Sequence, residues 1–211
     1  MSVYVLAGTN GAGKSTIGGA MIRASGADYF DPDEAAQRIL DANPGASIAD
    51  TNAAAWLEGK RLLERAIAER GNFAFETTLG GATIAALLAD AIADGIDVHV
   101  WCVALASPEL HLARVRARVA RGGHDIPERD IRRRYDASRQ NLIRLVPGLA
   151  SLRVYDNSAE ADPAEGLAPA PRLLLHVVRG RLVGHCELGT APEWVKPILL
   201  TALELVRSTN E

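Results

Sequence analysis

The chain has 211 residues, 48% of them hydrophobic, and a formal net charge of -3 from 23 Lys and Arg and 26 Asp and Glu. That is enough apolar sequence for one domain with a sizeable core. No apolar run approaches the roughly eighteen residues of a membrane span, and no signal-type segment precedes the first strand, so we expect a soluble, cytoplasmic protein. Cys102 and Cys186 lack the paired spacing of a disulfide framework or a zinc site.

A glycine-rich phosphate-binding pattern follows the first predicted strand, residues 3–7. Residues 8–15 read GTNGAGKS, an uninterrupted GxxxxGK[ST], and a helix is predicted from Lys14 to Arg23. Glycines let successive backbone N–H groups turn toward one point, where the helix N-terminus adds its positive dipole end. The lysine of this pattern reaches the β- and γ-phosphates, and the Ser15 hydroxyl ligates Mg²⁺. A glycine turn that only caps a helix is the alternative. We expect the phosphates of a bound nucleotide to contact this segment, at Gly8, Asn10, Gly11, Ala12, Gly13, Lys14, Ser15 and Thr16.

Acidic side chains follow the next two predicted strands. Strand 28–30 leads into the segment DPDE at 31–34, which begins a helix to about Leu40, and the apolar strand 73–76 ends on Glu76. Carboxyl ends of parallel strands meet at one edge of a sheet. We therefore expect these carboxylates to lie together near the γ-phosphate.

Each of these acids has an expected role. We interpret Asp33 as the base that accepts the proton of an attacking hydroxyl. Glu76 is expected to bind the acceptor hydroxyl or a metal-bound water, with Thr77 and Thr78 as hydrogen-bond donors beside it. Helix capping is the alternative for Asp31 and Asp33. An unpaired carboxylate within an apolar strand would be costly, so Glu76 is harder to explain as a purely structural residue.

The rest of the chain alternates helices and strands with short connections, which is typical of parallel strands with helices on both sheet faces. Residues 159–171 are expected to be a surface linker. The fold class is therefore α/β: a P-loop NTPase three-layer α/β/α domain with a central parallel sheet over residues 1–158, with residues 172–211 packed on it. The remaining predicted elements are helices 53–70, 82–93, 108–120, from about 127, and about 192–206, and strands 98–105, 152–156, 173–178 and 181–186.

Ten arginines fall between residues 114 and 144, on two predicted helices joined by the segment GGHDIP at 122–127. We predict that these helices form a hinged lid over the phosphates, at about residues 107–145, and that two or three of the arginines touch phosphate. The others are expected to pair along the helix surface, as in Glu128–Arg132, Asp130–Arg134 and Arg133–Asp136. His124 and Asp125 form an acid–base pair or, as we prefer, close the loop.

Four motifs in this order resemble the zeta-toxin-like group of P-loop kinases, over about residues 1–156. They are AGTNGAGKST at 7–16, FDPDE at 30–34, FAFETTL at 73–79, and GGHDIP at 122–127 with RRRY at 132–135. The resemblance implies ATP and Mg²⁺ as cosubstrates and phosphorylation of a hydroxyl on a UDP-amino sugar such as UDP-N-acetylglucosamine. It also implies an antitoxin-like protein as a second type of partner besides the small-molecule acceptor.

The resemblance further implies roles for single residues. Asp33 matches the catalytic aspartate, Glu76 matches the acid that holds the sugar, and Lys14 and Arg118 complete the catalytic set. We expect Arg118 and its neighbour Arg121 to contact ATP. The family's second lid arginine has no clean counterpart, since His124 stands about where it should be.

Two other functions remain open at this stage. One is a P-loop ATPase or nucleotide switch, for which neither an NKxD nor a clear DxxG motif gives support. The other is a nucleic-acid end kinase, which the acidic balance and the single aromatic residue of the arginine window, Tyr135, disfavour. Acceptor specificity is expected to lie in loops at 43–56 and 77–83 and in the carboxy-terminal hairpin.

Overall fold

Seven strands form one mixed sheet in the computed structural model, which describes residues 1–14, 29–159 and 171–209. They are β1 (Ser2–Ala7), β2 (Tyr29–Phe30), β3 (Phe73–Thr77), β4 (Asp97–Ala104), β5 (Ser151–Asp156), β6 (Arg172–Val178) and β7 (Arg181–His185). Their order across the sheet is β2-β3-β1-β4-β5-β6-β7. The first five strands pair in parallel and the last two are antiparallel, so the predicted hairpin extends the parallel sheet.

Helices connect and cover the strands. They are α1 (Pro32–Ala42), α2 (Ile48–Ala68), α3 (Ala82–Ala93), α4 (Pro108–Val119), α5 (Glu128–Leu145) and α6 (Lys196–Thr209), with short 3-10 turns at Val146–Gly148 and Glu193–Val195. Among the helices that the structure describes, none is long and apolar enough to cross a membrane. The helix predicted from Lys14 to Arg23 and most of the predicted linker lie outside the described residues.

The second helix begins earlier than predicted, at Ile48 instead of residue 53. The Ser47 side chain is the reason, because its hydroxyl accepts a hydrogen bond from the Asp50 backbone N–H at 3.1 Å and so caps the helix. Residues 48–52, which lay outside the predicted helix, are therefore the first turn of α2, and residues 48–56 of the predicted specificity loop are helical.

Alternation along β1 separates two apolar layers. Val3, Val5 and Ala7 face a large core to which α1, α2, α3, α5 and α6 contribute, while Leu6 faces the opposite side of the sheet. Val103 of β4 packs with Leu6 there. A strand that is buried on both faces is typical of the centre of an α/β sheet, as predicted.

The position of β1 determines where a ligand can bind. Its neighbours β3 and β4 lie on opposite sides, so the chain leaves β1 toward one half of the sheet and later returns to build the other. Ala7 pairs with Thr77 and with Cys102, which brings the ends of all three strands to the same edge. A crevice outside the carboxyl ends of strands at such a switch point is the usual ligand site of this fold class.

Candidate active site

The glycine-rich loop after β1 is held by the side chain of Asn157, which directly follows the carboxyl end of β5. Asn157 Nδ2 donates to the Ala12 carbonyl at 2.8 Å, and a Cβ at Gly13 would lie 2.7 Å from that same nitrogen. Gly11 and Gly13 have φ of +83° and +84°, a conformation that L side chains rarely adopt. The two glycines thus permit the tight loop that a phosphate cradle requires.

The lysine that ends this loop forms a buried ion pair. Lys14 Nζ lies 3.4 Å from Glu76 Oε1 at the end of β3, and the two side chains are only 10% and 9% exposed. The Tyr29 hydroxyl donates to Glu76 Oε2 at 2.9 Å. Lys14 and Tyr29, which lie outside β3, thus give Glu76 the polar partners that a buried carboxylate requires.

A cavity of about 460 Å³ opens beside this pair. It is bordered by the glycine-rich loop, the start of α1, one face of α2, the end of β3 and residues 120–127 between α4 and α5. We keep the name lid for α4, α5 and this loop because they are the segment predicted to be one. The structure thus brings together most of the residues that the sequence singles out for acceptor chemistry. Those that line the cavity are Lys14, Asp31, Asp33, Glu76, Thr77 and Thr78.

The two aspartates before and within α1 have different environments. Asp31 is the N-cap, since its Oδ1 accepts from the Asp33 backbone N–H at 2.8 Å, and the capping alternative is correct for this residue. Burial, followed by the nearby Glu76 carboxylate, raises the pKa of Asp31. The Asp33 side chain is exposed toward the cavity, with Oδ2 3.9 Å from Arg118 Nη1. Asp33 is therefore free of a capping role.

Arg118 and Arg121 lie on α4 but differ in where they point. Arg118 Nη2 donates to the His124 carbonyl at 3.2 Å, so this side chain crosses beneath the lid loop toward Asp33. Arg121 is exposed and donates to the Ala117 carbonyl of its own helix at 3.1 Å. The structure brings Arg118 to the edge of the cavity and leaves Arg121 away from it.

A third lid arginine, which the predicted site omits, does reach the glycine-rich loop. Arg134 Nη1 donates to Asn10 Oδ1 at 2.8 Å, and Arg134 lines the cavity. Burial lowers the pKa of its guanidinium. The salt bridge that we predicted for it does not form, since Asp130 contacts Arg133 at 3.5 Å, although the Asp130 charge still acts on the Arg134 guanidinium and opposes this lowering. The run of three arginines was the available signal, but it does not say which one turns inward.

The other predicted surface pairs have a mixed outcome. Arg132 Nε lies 2.8 Å from Glu128 Oε1, as predicted. Asp136 pairs with Arg139 at 2.6 Å, and the predicted pair with Arg133 is wrong. The reason is that Arg133 lies beside Asp130, one turn earlier on α5.

His111 holds the same loop from behind. It is fully buried in α4, and its Nδ1 lies 2.8 Å from the Asn10 carbonyl oxygen. Burial, with smaller contributions from the Lys14, Arg114 and Arg139 cations, lowers its pKa to about 4. The neutral imidazole therefore donates from Nδ1. Both lid helices thus hold Asn10, α4 at its carbonyl and α5 at its side chain.

The loop after β3, which borders the cavity, carries a strained and buried residue. Leu79 has φ of +53°, which is unfavourable for a residue with a branched side chain. Asn141 of α5 is buried, and its Nδ2 donates to the Leu79 carbonyl at 2.9 Å. Such strain persists only where neighbouring structure holds the backbone in place. Here the Asn141 hydrogen bond holds the loop that follows Thr77 and Thr78.

Cys102 and Cys186 are free, as the sequence predicts, and burial raises the pKa of the Cys102 thiol to about 12. Ser15 and Thr16 lie outside the described residues. His124 and Asp125 line the cavity at the lid loop.

Sequence comparison connects this geometry to a family. The profile of the family described as Zeta toxin matches residues 2–161. The chain is also 36% identical over 132 residues to an uncharacterized protein of Haemophilus influenzae, a match that covers 61% of this chain and 88% of that protein.

Solved structures with the same architecture are more distant in sequence. The AvrRxo1-ORF1:ORF2 complex, solved with ATP, has a TM-score of 0.63 at 16% identity over 95% of this chain, which spans 63% of that longer chain. A structure of the PezAT chromosomal toxin-antitoxin system of Streptococcus pneumoniae has a TM-score of 0.51 at 16% identity, covering all of this chain and 87% of that one. At such identities the likeness concerns the fold. Because the family profile spans well over half of the chain, the protein belongs to the zeta toxin family of P-loop kinases.

Proposed function

We propose that the protein transfers the γ-phosphate of ATP to a hydroxyl group of a small molecule. The observation that carries this proposal is that Lys14, Asp33 and Glu76 line one cavity at the end of the central strand. A phosphate-binding lysine and a carboxylate beside a space for an acceptor are what phosphoryl transfer needs from a protein. Family membership supports the same class of reaction.

In the proposed reaction, Asp33 is the base. The acceptor oxygen bonds to the γ-phosphorus while the bond from that phosphorus to the β–γ bridging oxygen breaks, and ADP leaves with the electron pair. The acceptor proton passes to the Asp33 carboxylate. Lys14 moves its charge from Glu76 toward the phosphates, and Arg118, already 3.9 Å from Asp33, neutralises charge on the transferred group.

The residues present are compatible with Mg²⁺ as the metal. Within the described residues, no group of three or more His, Cys, Asp and Glu could hold a metal ion. Mg²⁺ does not need such a cage, since it keeps several waters and binds one or two protein oxygens together with substrate phosphates. We propose that Ser15 supplies the protein ligand. When bound, the ion neutralises charge that develops on the phosphates.

For the acceptor we propose a UDP-amino sugar such as UDP-N-acetylglucosamine. The cavity of about 460 Å³ falls in the usual range of small-molecule sites, which is about 300–1,000 Å³. Glu76, Thr77 and Thr78 offer hydrogen-bonding groups for sugar hydroxyls and the N-acetyl group. An antitoxin-like protein partner and a cytoplasmic location are proposals of the same kind, and the PezAT neighbour supports the first of them.

The test is an acceptor panel. The full chain is incubated with Mg-ATP and a set of nucleotide sugars, nucleosides and sugars, and mass spectrometry detects an added phosphate. Asp33→Asn is expected to abolish transfer while ATP binding is retained. The matched control is Glu34→Gln, the adjacent exposed acid in the first turn of α1, which is expected to keep full activity. Hydrolysis of ATP at a rate that no acceptor changes would contradict the proposal and favour an ATPase.

A further inference from the structure

The cavity has an aromatic side chain at its solvent edge. Trp56 of α2 lines the cavity and is nevertheless 45% exposed. The chain has only three tryptophans, and Trp194 is buried in the core. An indole that presents much of its surface to an open cavity offers a flat face on which a ligand ring can stack.

Trp56 belongs to a polar and aromatic stripe along α2. Asn52, Trp56 and Lys60 all line the cavity, and they follow one another at intervals of four residues. Side chains at this spacing lie on one helix face, about 5–6 Å apart. The stripe thus presents an amide, an aromatic face and a cation in succession.

The helix that carries the stripe has a fixed position. Gly59 is buried against the ring of Phe30, and a Cβ at Gly59 would lie 2.5 Å from Phe30 Cε1. α2 therefore packs closely on the end of β2, beside the Asp31 turn. The stripe forms a rigid wall of the cavity that contains Asp33.

We propose that Trp56 is the stacking platform for a planar ring of the acceptor and that Lys60 binds an anionic group attached to that ring. This inference rests on the proposed function, because it assigns a further part of the same acceptor site. Lys60 Nζ contacts Glu64 Oε1 at 2.5 Å, and such part-exposed pairs on a helix are weak enough to exchange for a ligand. The acceptor hydroxyl would then reach Asp33, which lines the same cavity.

The stripe makes a prediction about which molecules are phosphorylated. Acceptors with a heteroaromatic ring and an anionic group should be preferred over sugars or polyols that lack a ring. The ordinary alternative is that Trp56 is simply an exposed apolar residue. Leu57 provides the matched control, since it is 59% exposed on the same helix and is not among the residues that line the cavity.

Steady-state kinetics with UDP-N-acetylglucosamine and Mg-ATP test the platform. Trp56→Ala should raise KM for this acceptor about tenfold or more, the usual cost of removing an aromatic platform from a base. The kcat and the KM for ATP should change little, and Trp56→Phe should recover much of the loss. Leu57→Ala should leave all three constants unchanged. An unchanged acceptor KM in Trp56→Ala would overturn the inference, as would a panel in which ring-free sugars are the better acceptors.

A second measurement does not depend on transfer. Uridine, cytidine, adenosine and nicotinamide, none of which carries a phosphate for the glycine-rich loop, are titrated into Asp33→Asn protein while tryptophan fluorescence is recorded. At least one should quench the emission, N-acetylglucosamine should not, and Trp56→Phe in the same background should remove the quench. N-acetyltryptophanamide corrects for absorption by the ligand.

The two measurements separate failure of this inference from failure of the proposed function. If the panel yields no phosphorylated acceptor but a ring quenches Trp56, the reaction is wrong and the ring site stands. If transfer occurs but no ring quenches the emission, the platform is wrong and the kinase stands.

Lys60→Met tests the anion site. It should raise KM for UDP-N-acetylglucosamine and leave the uridine quench unchanged, and Lys60→Arg should restore that KM. An unaltered KM in Lys60→Met would refute the anion site.

Discussion

The centre of the sheet and the surface of the lid both contain ion pairs, but in opposite environments. Lys14 and Glu76 face each other at 3.4 Å with about a tenth of each side chain exposed. Arg132 of the lid contacts Glu109 at 2.8 Å, yet these side chains are 45% and 65% exposed. The shorter contact is the weaker one, because water and salt screen exposed charges, whereas a buried charge that loses its partner has nothing to replace it. Burial, more than contact distance, therefore decides which of these ion pairs contributes most to stability.

The largest effect is expected at the buried pair. Glu76→Gln keeps the shape of the side chain but leaves the Lys14 ammonium without its carboxylate partner. The free energy of unfolding should fall by about 3 kcal/mol, the cost of breaking a buried pair, as measured by urea denaturation. Phosphoryl transfer should fall about 100-fold or more, because the charge that positions Lys14 is gone.

The control for this variant lies on α2. Glu64→Gln removes the carboxylate partner of Lys60 from a part-exposed i,i+4 pair, so the free energy of unfolding should change by only about 0.5 kcal/mol. Equal losses of stability in the two variants would show that burial does not separate these pairs.

A pH-dependent effect on stability is expected from His111, which is buried in α4. It ranks second because it is confined to acidic pH, whereas Glu76→Gln should lower both stability and transfer at neutral pH. The pKa of His111 is about 4 in the folded protein and about 6.5 in the unfolded chain. Between these values the unfolded chain binds the proton more readily, so stability from this group is complete above about pH 6.5 and declines as the pH falls toward 4. The decline should reach about 3 kcal/mol, measured by denaturation at a series of pH values.

A paired substitution isolates this histidine from other titrating groups. His111→Asn keeps an N–H donor for the Asn10 carbonyl but does not titrate, so its stability should decline less steeply than that of the unmodified protein over this range. His185→Asn, at an exposed position on β7, is the matched control. If His111→Asn retains the full slope, the proton is bound elsewhere.

The sequence could predict those features of the fold and the site that depend on local patterns. The glycine-rich loop, the acids at strand ends and most element boundaries follow from local patterns, because spacing along a strand or helix determines which side chains share an edge. Glu76 was identifiable because a carboxylate in an apolar strand requires a partner. Whether Asp33 acts as the base stays a prediction, and its place in the cavity with Lys14 is compatible with it.

The contacts that the sequence did not reveal join distant segments. Arg134 and Asn10 are 124 residues apart, and His111 and Asn10 are 101 apart. Nothing in the local sequence distinguishes Arg134 from Arg132 or Arg133, because the choice depends on how α5 packs against the glycine-rich loop. Trp56 was missed for a different reason. The predicted helix began at residue 53, so Asn52 lay outside it, and the local sequence does not show which face of the helix borders the cavity.

The smallest effect is expected on the outer face of the lid, where Arg132 contacts both Glu109 and Glu128 at 2.8 Å. These contacts lower the pKa of the Glu109 carboxyl, but all three side chains remain open to water. Arg132→Ala should therefore leave the midpoint of thermal unfolding within the scatter of replicate scans. Arg134→Ala, two residues further on, should lower kcat/KM clearly, because it frees Asn10 from α5. If Arg132→Ala instead impaired transfer as strongly as Arg134→Ala, the exposed arginines would also have to reach the phosphates, and the burial of a side chain in this structure would not identify the functional charges.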